Sequence, residues 1–481
     1  MVNGGDMTGS RYEALVIGTG PGGAVTARAL AEAGMRVLVV EEGAWTSPGM
    51  VEAYSLEQMR HQYRRAGLTA ALGRPPVAYV EGMGVGGGSE VSLGLYHRPS
   101  AQLLESWSRD WCIQGLDAPA LAGHGAVIER ELGVGLLPWS MPAASQVLAY
   151  GAQALGWYGL QVPRWAVCRE GGGVHEVEKQ TMSVAYWPKA LAAGVELREH
   201  TRAVRLALTR GRAVAAVTED VRSGRMSEIA FDHVFVCGGA VQTPALLQRS
   251  GLNRNIGRNL SVHPTVRAVA EFHHRVNDPS DVPVYQVREF APRLSFGGSA
   301  SRPGLLAAAL SENWPVFGEA MERWPHLSLY YAATQSIGRG RVRVVPGFSD
   351  PLVTYRLTGA DLELLRSGLA RMAHLLLAGG ARAVYPAFRG APKITGAGDV
   401  PAAVAAMSRA RAGVMTVHLC GTVPMGEDRR RCGAGSFGQV HGTANVYVND
   451  ASLLPAAPGL NPQGTIMAVA ARNITHFLST H

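Results

Sequence analysis

The chain has 481 residues, of which 47% are hydrophobic and 17% charged, which is enough for two or three domains and typical of globular, soluble proteins. The net charge of +8 rests on scattered arginines, and the short run at 429–431 is typical of a solvated loop, so no nucleic-acid-binding surface is predicted. Five separated cysteines without a C-x-x-C pair argue against a disulfide framework and a zinc site, and indicate a reducing, cytoplasmic setting.

The N-terminal segment has no apolar core of an export signal, and no uninterrupted apolar run reaches about 18 residues. We therefore expect neither an export signal nor an integral membrane segment. Peripheral contact with a membrane stays open.

Residues 12–43 predict a strand, a glycine-rich turn, a helix and a second strand. Gly18, Gly20 and Gly23 form a G-x-G-x-x-G motif, in which the glycines allow a tight turn, close approach to a pyrophosphate and close helix packing. The helix is predicted at 24–33 and the second strand at 37–40, where Glu41 follows as a possible acceptor for a ribose diol. This context predicts a dinucleotide site, and it does not separate FAD from NAD.

The middle of the chain is expected to contain further strands of the nucleotide-binding sheet. A second glycine-rich stretch at 82–92 precedes a mainly helical region, and strands are predicted at 195–206, 213–218, 226–231 and 234–236. Pro244 is expected at the first position of the next helix. Because strands recur more than 150 residues after the fingerprint, the nucleotide-binding domain must be discontinuous.

From 265 to 409 the pattern changes to strands at 326–335, 341–345 and 352–357, followed by an amphipathic helix at 360–378. The predicted fold is α/β. A Rossmann-type FAD-binding domain comprises 1–100, 178–264 and 410–481, and a sheet-and-helix substrate domain comprises 101–177 and 265–409.

The last 70 residues carry the polar side chains that are best suited to catalysis. His418 stands beside a glycine turn, and Asp450 ends a short strand. Asn461 is expected to cap a helix whose first residue is Pro462, and the positive end of that helix would stabilise an anion. A packed core histidine and a purely structural cap are the competing interpretations.

Six motifs occur in the order of a known family: the fingerprint, GGGS at 86–89, VFVCGGAVQTPALLQRSGL at 234–252, IGRNLSVHP at 256–264, HLCGT at 418–422 and VNDASLLPAAPGLNPQGTIMAVAARN at 448–473. Together they resemble the glucose–methanol–choline (GMC) family of FAD oxidoreductases, in particular short bacterial alcohol and cholesterol oxidase-like members. The match covers nearly the whole expected flavin domain, whereas the central substrate region matches only in outline.

The resemblance implies FAD as the cofactor and His418 with Asn461 as the catalytic pair. It further implies contacts to FAD from Gly18, Gly20 and Gly23 at the pyrophosphate, Glu41 at the ribose, Gly87, Gly88 and Ser89 at the flavin, Val204 near the adenine, Asp450 near the ribityl chain, and Pro462 at the helix end facing the flavin. Departures include Leu419 where the family often has proline and Ser92 where asparagine is common. Val91 stands where some relatives carry a histidine bonded to the flavin, so we expect non-covalent FAD.

The predicted reaction is oxidation of a CH–OH group to a carbonyl on a small-molecule alcohol, bulky or lipophilic in character. His418 would act as base and Asn461 would hold the oxygen, with oxygen or another acceptor reoxidising the flavin. An FAD-containing lyase of the same fold and an NAD-dependent dehydrogenase are the alternatives.

Overall fold

The structure is a computed structural model that describes residues 11–47, 49–171, 174–278 and 281–481. In chain order, the helices α1–α13 span Pro21–Glu32, Leu56–Gln62, Ala101–Trp111, Ala118–Glu131, Ala143–Leu155, Met182–Ala185, Trp187–Ala192, Gly239–Arg249, Pro303–Leu310, Trp314–Phe317, Gly359–Ala378, Val400–Ala406 and Gln463–Thr480. The strands β1–β23 span Tyr12–Ile17, Val37–Val40, Thr69–Ala71, Val77–Tyr79, Val134–Gly135, Gly159–Gln161, Arg164–Gly171, Val174–Lys179, Glu196–Arg198, Thr201–Thr209, Arg212–Asp220, Met226–Val236, Ser261–Val262, Thr265–Phe272, Tyr285–Val287, Leu294–Gly298, Leu327–Thr334, Arg339–Arg343, Leu352–Arg356, Ala381–Pro386, Val414–Thr416, Leu419–Cys420 and Val446–Val448. Short 3₁₀ helices span Arg64–Gly67, Gly87–Ser89, Ser311–Asn313, Gly318–His326, Ala397–Asp399 and Ala451–Leu453.

The first sheet of the described chain has the strand order β10-β11-β12-β1-β2-β9. Strand β23 also pairs with β12, at the C-terminal end of β12. Its centre is parallel, and Ile17 at the end of β1 lies opposite both Val40 and Val236. The four residues of β2 are all buried, as expected for a parallel strand covered on both faces. These shared ends create one edge at which the fingerprint loop and Glu41 meet, which confirms the predicted α/β fold.

Two strand predictions need correction. The segment predicted as one strand at 195–206 forms two, β9 and β10, because His200 between them takes a φ of 53° and turns the chain. The two strands predicted at 226–231 and 234–236 form one continuous strand, β12. That strand is antiparallel to β11 along its first half and parallel to β1 along its second half, so it joins the two parts of the sheet.

Pro244 does not begin a helix. It lies inside α8, which starts five residues earlier at Gly239. A proline at this position cannot donate to the carbonyl of Ala240, and that carbonyl accepts a hydrogen bond from Thr422 Oγ1 at 2.7 Å instead. The proline is therefore tolerated because Thr422, from the HLCGT segment, satisfies the carbonyl that the helix leaves free.

A second sheet has the order β3-β4-β21-β14-β17-β16-β15-β6, with β20 also on β14. Helix α11 covers one face, and it begins with a capping box in which Thr358 and Asp361 bond to each other's backbone N–H. Strands β3, β4 and β21 come from segments expected in the nucleotide domain. Conversely, Leu104 and Trp107 of α3 pack into the core of the first sheet.

A cavity of about 650 Å³ is lined by the ends of the first sheet, the 82–95 loop and the face of the second sheet that α11 does not cover. None of the described helices is both long enough and apolar enough to cross a membrane. Within the described residues no group of three or more His, Cys, Asp or Glu side chains is arranged to hold a metal ion.

Candidate active site

The fingerprint glycines line the nucleotide end of the cavity or pack beside it. Gly18 has a φ of +101°, and a Cβ there would lie 2.5 Å from the carbonyl oxygen of Cys237. A Cβ at Gly23 would lie 2.0 Å from the carbonyl oxygen of Gly18, so this glycine lets α1 pack against the turn. Gly20 differs, because its Cβ would meet no protein atom within 4 Å. Gly18 and Gly23 are therefore required by the fold, whereas Gly20 leaves room for a ligand at the start of α1.

Glu41 is buried at the same end and its carboxylate accepts four hydrogen bonds. The donors to Oε2 are Thr19 N and Oγ1, at 3.2 and 2.6 Å, and the donors to Oε1 are the backbone N–H groups of Gly43 and Gly84 at 3.0 and 3.2 Å. Burial raises the pKa of Glu41, against the effect of these donors. A ribose hydroxyl would have to replace one donor, and Thr19 Oγ1 can turn to the carbonyl oxygen of Gly84, 3.1 Å away.

The second glycine-rich loop meets the fingerprint directly. A Cβ at Gly87 would lie 2.9 Å from the Cα of Gly20, and both Gly87 and Gly88 line the cavity. Ser89 is fully buried and does not line it. Its hydroxyl donates to Gly86 O at 2.8 Å and accepts from Met182 N at 3.0 Å. Ser89 therefore shapes the loop, while the two glycines offer their backbone to a ligand.

Val204 and Asp450 occupy different environments. Val204 is absent from the residues that line the cavity, whereas the three preceding residues Thr201, Arg202 and Ala203 line it, and the pairing of β10 with β11 shifts register at Val204. Asp450 lines the cavity, but its carboxylate accepts from Gly239 N, Thr243 Oγ1 and both donors of Ser452. Asp450 thus holds the start of α8 against the 451–453 turn.

His418 and Asn461, which sequence analysis pairs across 43 positions of chain, line the same cavity. His418 Nδ1 lies 2.9 Å from Nδ1 of His263, and the two rings are perpendicular. Nε2 of His263 accepts the backbone N–H of Gly459 at 2.7 Å. Neutral His263 therefore carries its proton on Nδ1 and donates it to His418, so neutral His418 carries its proton on Nε2.

The histidine pair is electrically neutral. Burial, followed by the neighbouring His263 and His97, holds the pKa of His418 well below its usual value. Burial also lowers the pKa of His263 to about 4. Nε2 of His418 makes no hydrogen bond to any described residue, and it is the ring nitrogen left for a ligand in the cavity.

Asn461 does not cap the final helix, which corrects the expected boundary. Helix α13 begins at Gln463, its N-cap position is Pro462, and no side chain caps it. The Oδ1 atom of Asn461 accepts from Gln286 Nε2 at 3.3 Å, and Gln286 Nε2 also lies 2.9 Å from Tyr331 Oη. Among the described residues nothing bonds to Nδ2 of Asn461, so this donor is left for a ligand.

Sequence analysis missed three polar residues of the site. His263 lies within the quoted IGRNLSVHP segment, where a histidine before a proline was the available signal, but it received no role. Gln286 and Tyr331 come from β15 and β17 of the second sheet, and no local pattern marks them. Their neighbours in the cavity are mainly apolar: Leu305, Ala308, Leu329, Ala333 and Met415.

Comparison with known proteins agrees with this architecture. The family model described as GMC oxidoreductase matches residues 59–265 and, in its C-terminal part, 337–470, and an FAD binding domain matches 11–87. The glycine fingerprint is therefore an FAD site, and the NAD-dependent alternative is set aside.

Individual relatives cover almost the whole chain. An uncharacterized GMC-type oxidoreductase of Sinorhizobium fredii is 35% identical over 476 residues, covering 96% of this chain and 93% of the relative. A long-chain-alcohol oxidase of Arabidopsis thaliana is 26% identical over 508 residues, covering 95% of this chain and 65% of its own length. The crystal structure of pyridoxine 4-oxidase from Mesorbium loti matches with a TM-score of 0.75 at 19% identity, covering 98% of this chain and all of that one.

The family models match most of the chain, and the matched segments include the glycine cradle, the second glycine loop, His418 and Asn461, whereas the cavity wall formed by residues 267–335 lies between the two matches. The chain belongs to the GMC oxidoreductase family and is an FAD-dependent oxidoreductase.

Proposed function

We propose that the protein oxidises the CH–OH group of a bulky or lipophilic alcohol to a carbonyl. The observation that carries this proposal is that His418 and Asn461 line one largely apolar cavity, and that neither His418 Nε2 nor Asn461 Nδ2 has a hydrogen-bond partner among the described residues. Bound FAD supplies the hydride acceptor, N5 of its ring system. Oxygen or another acceptor would then restore the oxidised cofactor.

Asn461 holds the substrate oxygen in this proposal. Because its Oδ1 is engaged by Gln286, its amide is turned so that Nδ2 donates. A donor fixed in this way orients the hydroxyl and favours the more negative oxygen that develops as the carbonyl forms.

His418 takes the hydroxyl proton on Nε2. The observed hydrogen bonds place a proton on that nitrogen, so the base function requires the other arrangement of the pair. In that arrangement His418 carries its proton on Nδ1 and donates it to His263, which then carries its own proton on Nε2. The bond from Gly459 N–H to His263 must open, at a net cost of about 1 kcal/mol for one neutral hydrogen bond.

The N-terminus of α13 adds a positive electrostatic potential at the cavity. Pro462 and Gln463 line the cavity, and α13 extends away from it for 18 residues. The first N–H groups of a helix and its positive dipole end stabilise negative charge placed near them. Negative charge that builds up in the cavity during the reaction is stabilised there.

The test is anaerobic single-turnover reduction of the flavin by an alcohol. We expect His418→Ala to slow reduction by about 10²- to 10⁴-fold, the usual contribution of general acid–base catalysis. His273→Ala, at an exposed histidine, is the matched control and should reduce as the parent does. Reduction of the His418 variant at the parental rate would remove His418 from the mechanism.

The lyase alternative makes a different prediction for the same experiment. A lyase that uses the fold without net redox change would retain oxidised flavin with every alcohol supplied. Bleaching by one alcohol, followed by return of the colour in air, would support the oxidase proposal and identify the acceptor.

A further inference from the structure

Arg267 is a cationic side chain at the cavity for which the established chemistry has no use. It lies on β14 and lines the cavity. Its guanidinium makes no hydrogen bond or ion pair with any described residue, and exposed Glu312 attracts its charge only from beyond contact distance. Arg64, which is also partly buried, is paired with Glu42, and Arg472, which is buried, is paired with backbone carbonyl groups.

Arg267 is partly buried, and no described residue pairs with its charge. Removing a cation from water is costly unless an anion or several acceptors replace the water. Burial lowers the pKa of Arg267. A ligand anion in the cavity would provide the missing partner, and the planar guanidinium matches a carboxylate with two parallel hydrogen bonds.

The position of Arg267 sets how far that anion lies from the reacting carbon. His263, Thr265 and Arg267 are alternate residues, and all three line the cavity. At a strand rise of about 3.3 Å per residue, roughly 13 Å separate the Cα atoms of His263 and Arg267. His263 touches His418, so the backbone of Arg267 lies well along the cavity wall from the histidine pair.

Apolar side chains line much of the cavity wall on this side, and Thr265, Ser295 and Ser299 also line the cavity. Leu329 and Ala333 lie on the strand paired with β14, Met415 lies opposite Thr265, and Leu305 and Ala308 come from α9. An alkyl or similarly apolar segment can pack against these apolar side chains.

Arg267 belongs to the substrate end of the cavity. The pyrophosphate contacts implied for FAD are at Gly18 and Gly20, on the fingerprint turn of the first sheet, whereas Arg267 lies on the second sheet with Tyr331 as its neighbour across the strands. An anion held by Arg267 is therefore part of the substrate.

We propose that Arg267 binds a carboxylate at the far end of the substrate. The substrate class is then an apolar alcohol with a carboxylate remote from the carbinol, for which ω-hydroxy fatty acids are the simplest representatives. This inference rests on the proposed alcohol oxidation and narrows it.

The first experiment compares ω-hydroxylauric acid with its methyl ester by anaerobic flavin reduction in the FAD-loaded protein. We expect kcat/KM for the acid to exceed that for the ester by about 10- to 100-fold, the usual contribution of a charge-assisted hydrogen bond. Arg267→Gln should abolish this preference by raising KM for the acid, with kcat and the ester little changed. Arg341→Gln removes the same charge at an exposed site and is the matched control.

The second experiment does not depend on turnover. Laurate, which has no hydroxyl to oxidise, should raise the melting temperature of the parent and of Arg341→Gln but not that of Arg267→Gln. Since the guanidinium has no protein partner, Arg267→Gln should also melt at or above the parental temperature without laurate.

The two experiments separate the two proposals. Laurate binding that depends on Arg267, in a protein whose flavin no alcohol reduces, would overturn the alcohol oxidation and leave the anion site standing. Equal kcat/KM for acid and ester in the parent, or laurate binding that survives Arg267→Gln, would overturn the role of Arg267. Loss of FAD from Arg267→Gln would overturn it as well, because the residue would then support the cofactor.

Discussion

Two glycines of the fingerprint offer a pair of substitutions that separate folding from FAD binding. An alanine Cβ at Gly23 would lie 2.0 Å from the carbonyl oxygen of Gly18, whereas one at Gly20 would meet no protein atom within 4 Å. We therefore expect Gly23→Ala to reduce the stability of the FAD-free protein and Gly20→Ala to leave it nearly unchanged.

The magnitudes follow from the same geometry. Overpacking usually costs about 1–3 kcal/mol, and the higher helix propensity of alanine offsets about 1 kcal/mol of this in Gly23→Ala. Because the added Cβ would lie 2.0 Å from a backbone oxygen, we expect the upper end of the difference, a net loss of about 2 kcal/mol. Gly20 has a φ of −64° and a ψ of −176°, which alanine adopts freely. Gly20→Ala reduces the conformational entropy of the unfolded chain, which stabilises the folded protein by about 0.4–1 kcal/mol. This gain offsets the loss from alanine being a poorer N-cap residue than glycine.

For FAD binding, in contrast, we expect the larger effect from Gly20→Ala, the substitution that leaves stability nearly unchanged. The Cβ added by Gly20→Ala enters the space in which a pyrophosphate approaches the backbone at the start of α1. Loss of one or two charge-assisted hydrogen bonds, at about 1.5–3 kcal/mol each, should raise the Kd for FAD by at least about tenfold. Urea denaturation and FAD titration of the FAD-free proteins measure the two effects. Parental FAD affinity in Gly20→Ala, or parental stability in Gly23→Ala, would refute the reasoning.

Two further predictions concern the polar end of the cavity. Asn461→Ala should keep the parental melting temperature, because its side chain does not cap α13, and should slow flavin reduction by at least about tenfold; a large fall in melting temperature with unchanged reduction would contradict this. The pKa of His263 is about 4 in the folded protein, against about 6.5 when unfolded, so its contribution to stability is complete above pH ~6.5 and is lost as the pH falls toward 4. His263→Gln should flatten the fall of the urea midpoint across that range, and an unchanged slope would contradict the assignment.

The nucleotide end could be predicted from sequence because its signals are local. The glycine fingerprint, the helix after it and the strand before Glu41 lie within one segment of about 30 residues, and the strand Val37–Val40 has the predicted bounds. The direction in which individual side chains point was harder to predict from the sequence. Ser89 does not line the cavity, and Ala203 rather than Val204 lines it, where β10 shifts its register against β11.

The protonation state of the histidine pair His418 and His263 could not be predicted, since it depends on contacts between distant segments. His418 and His263 are 155 positions apart, and Asn461 and Gln286 are 175 positions apart. No periodicity encodes such a pairing, and the decisive atom is a backbone N–H, that of Gly459, which every residue except proline possesses. The role of each side chain follows only when its hydrogen bonds are known.

The order of strands in the first sheet has a consequence for biosynthesis. Strand β1 needs β12 beside it, β12 needs β23, and Asn449 just after β23 bonds to Thr26 of α1 across 423 positions of chain. At about 5–20 residues per second, the ribosome takes roughly 20–85 s to supply that contact. During this interval the first strands emerge with an apolar sheet edge that nothing yet covers. The FAD cradle is thus completed only after Asn449 has been synthesised, so slower translation lengthens the time in which the chain is exposed to aggregation.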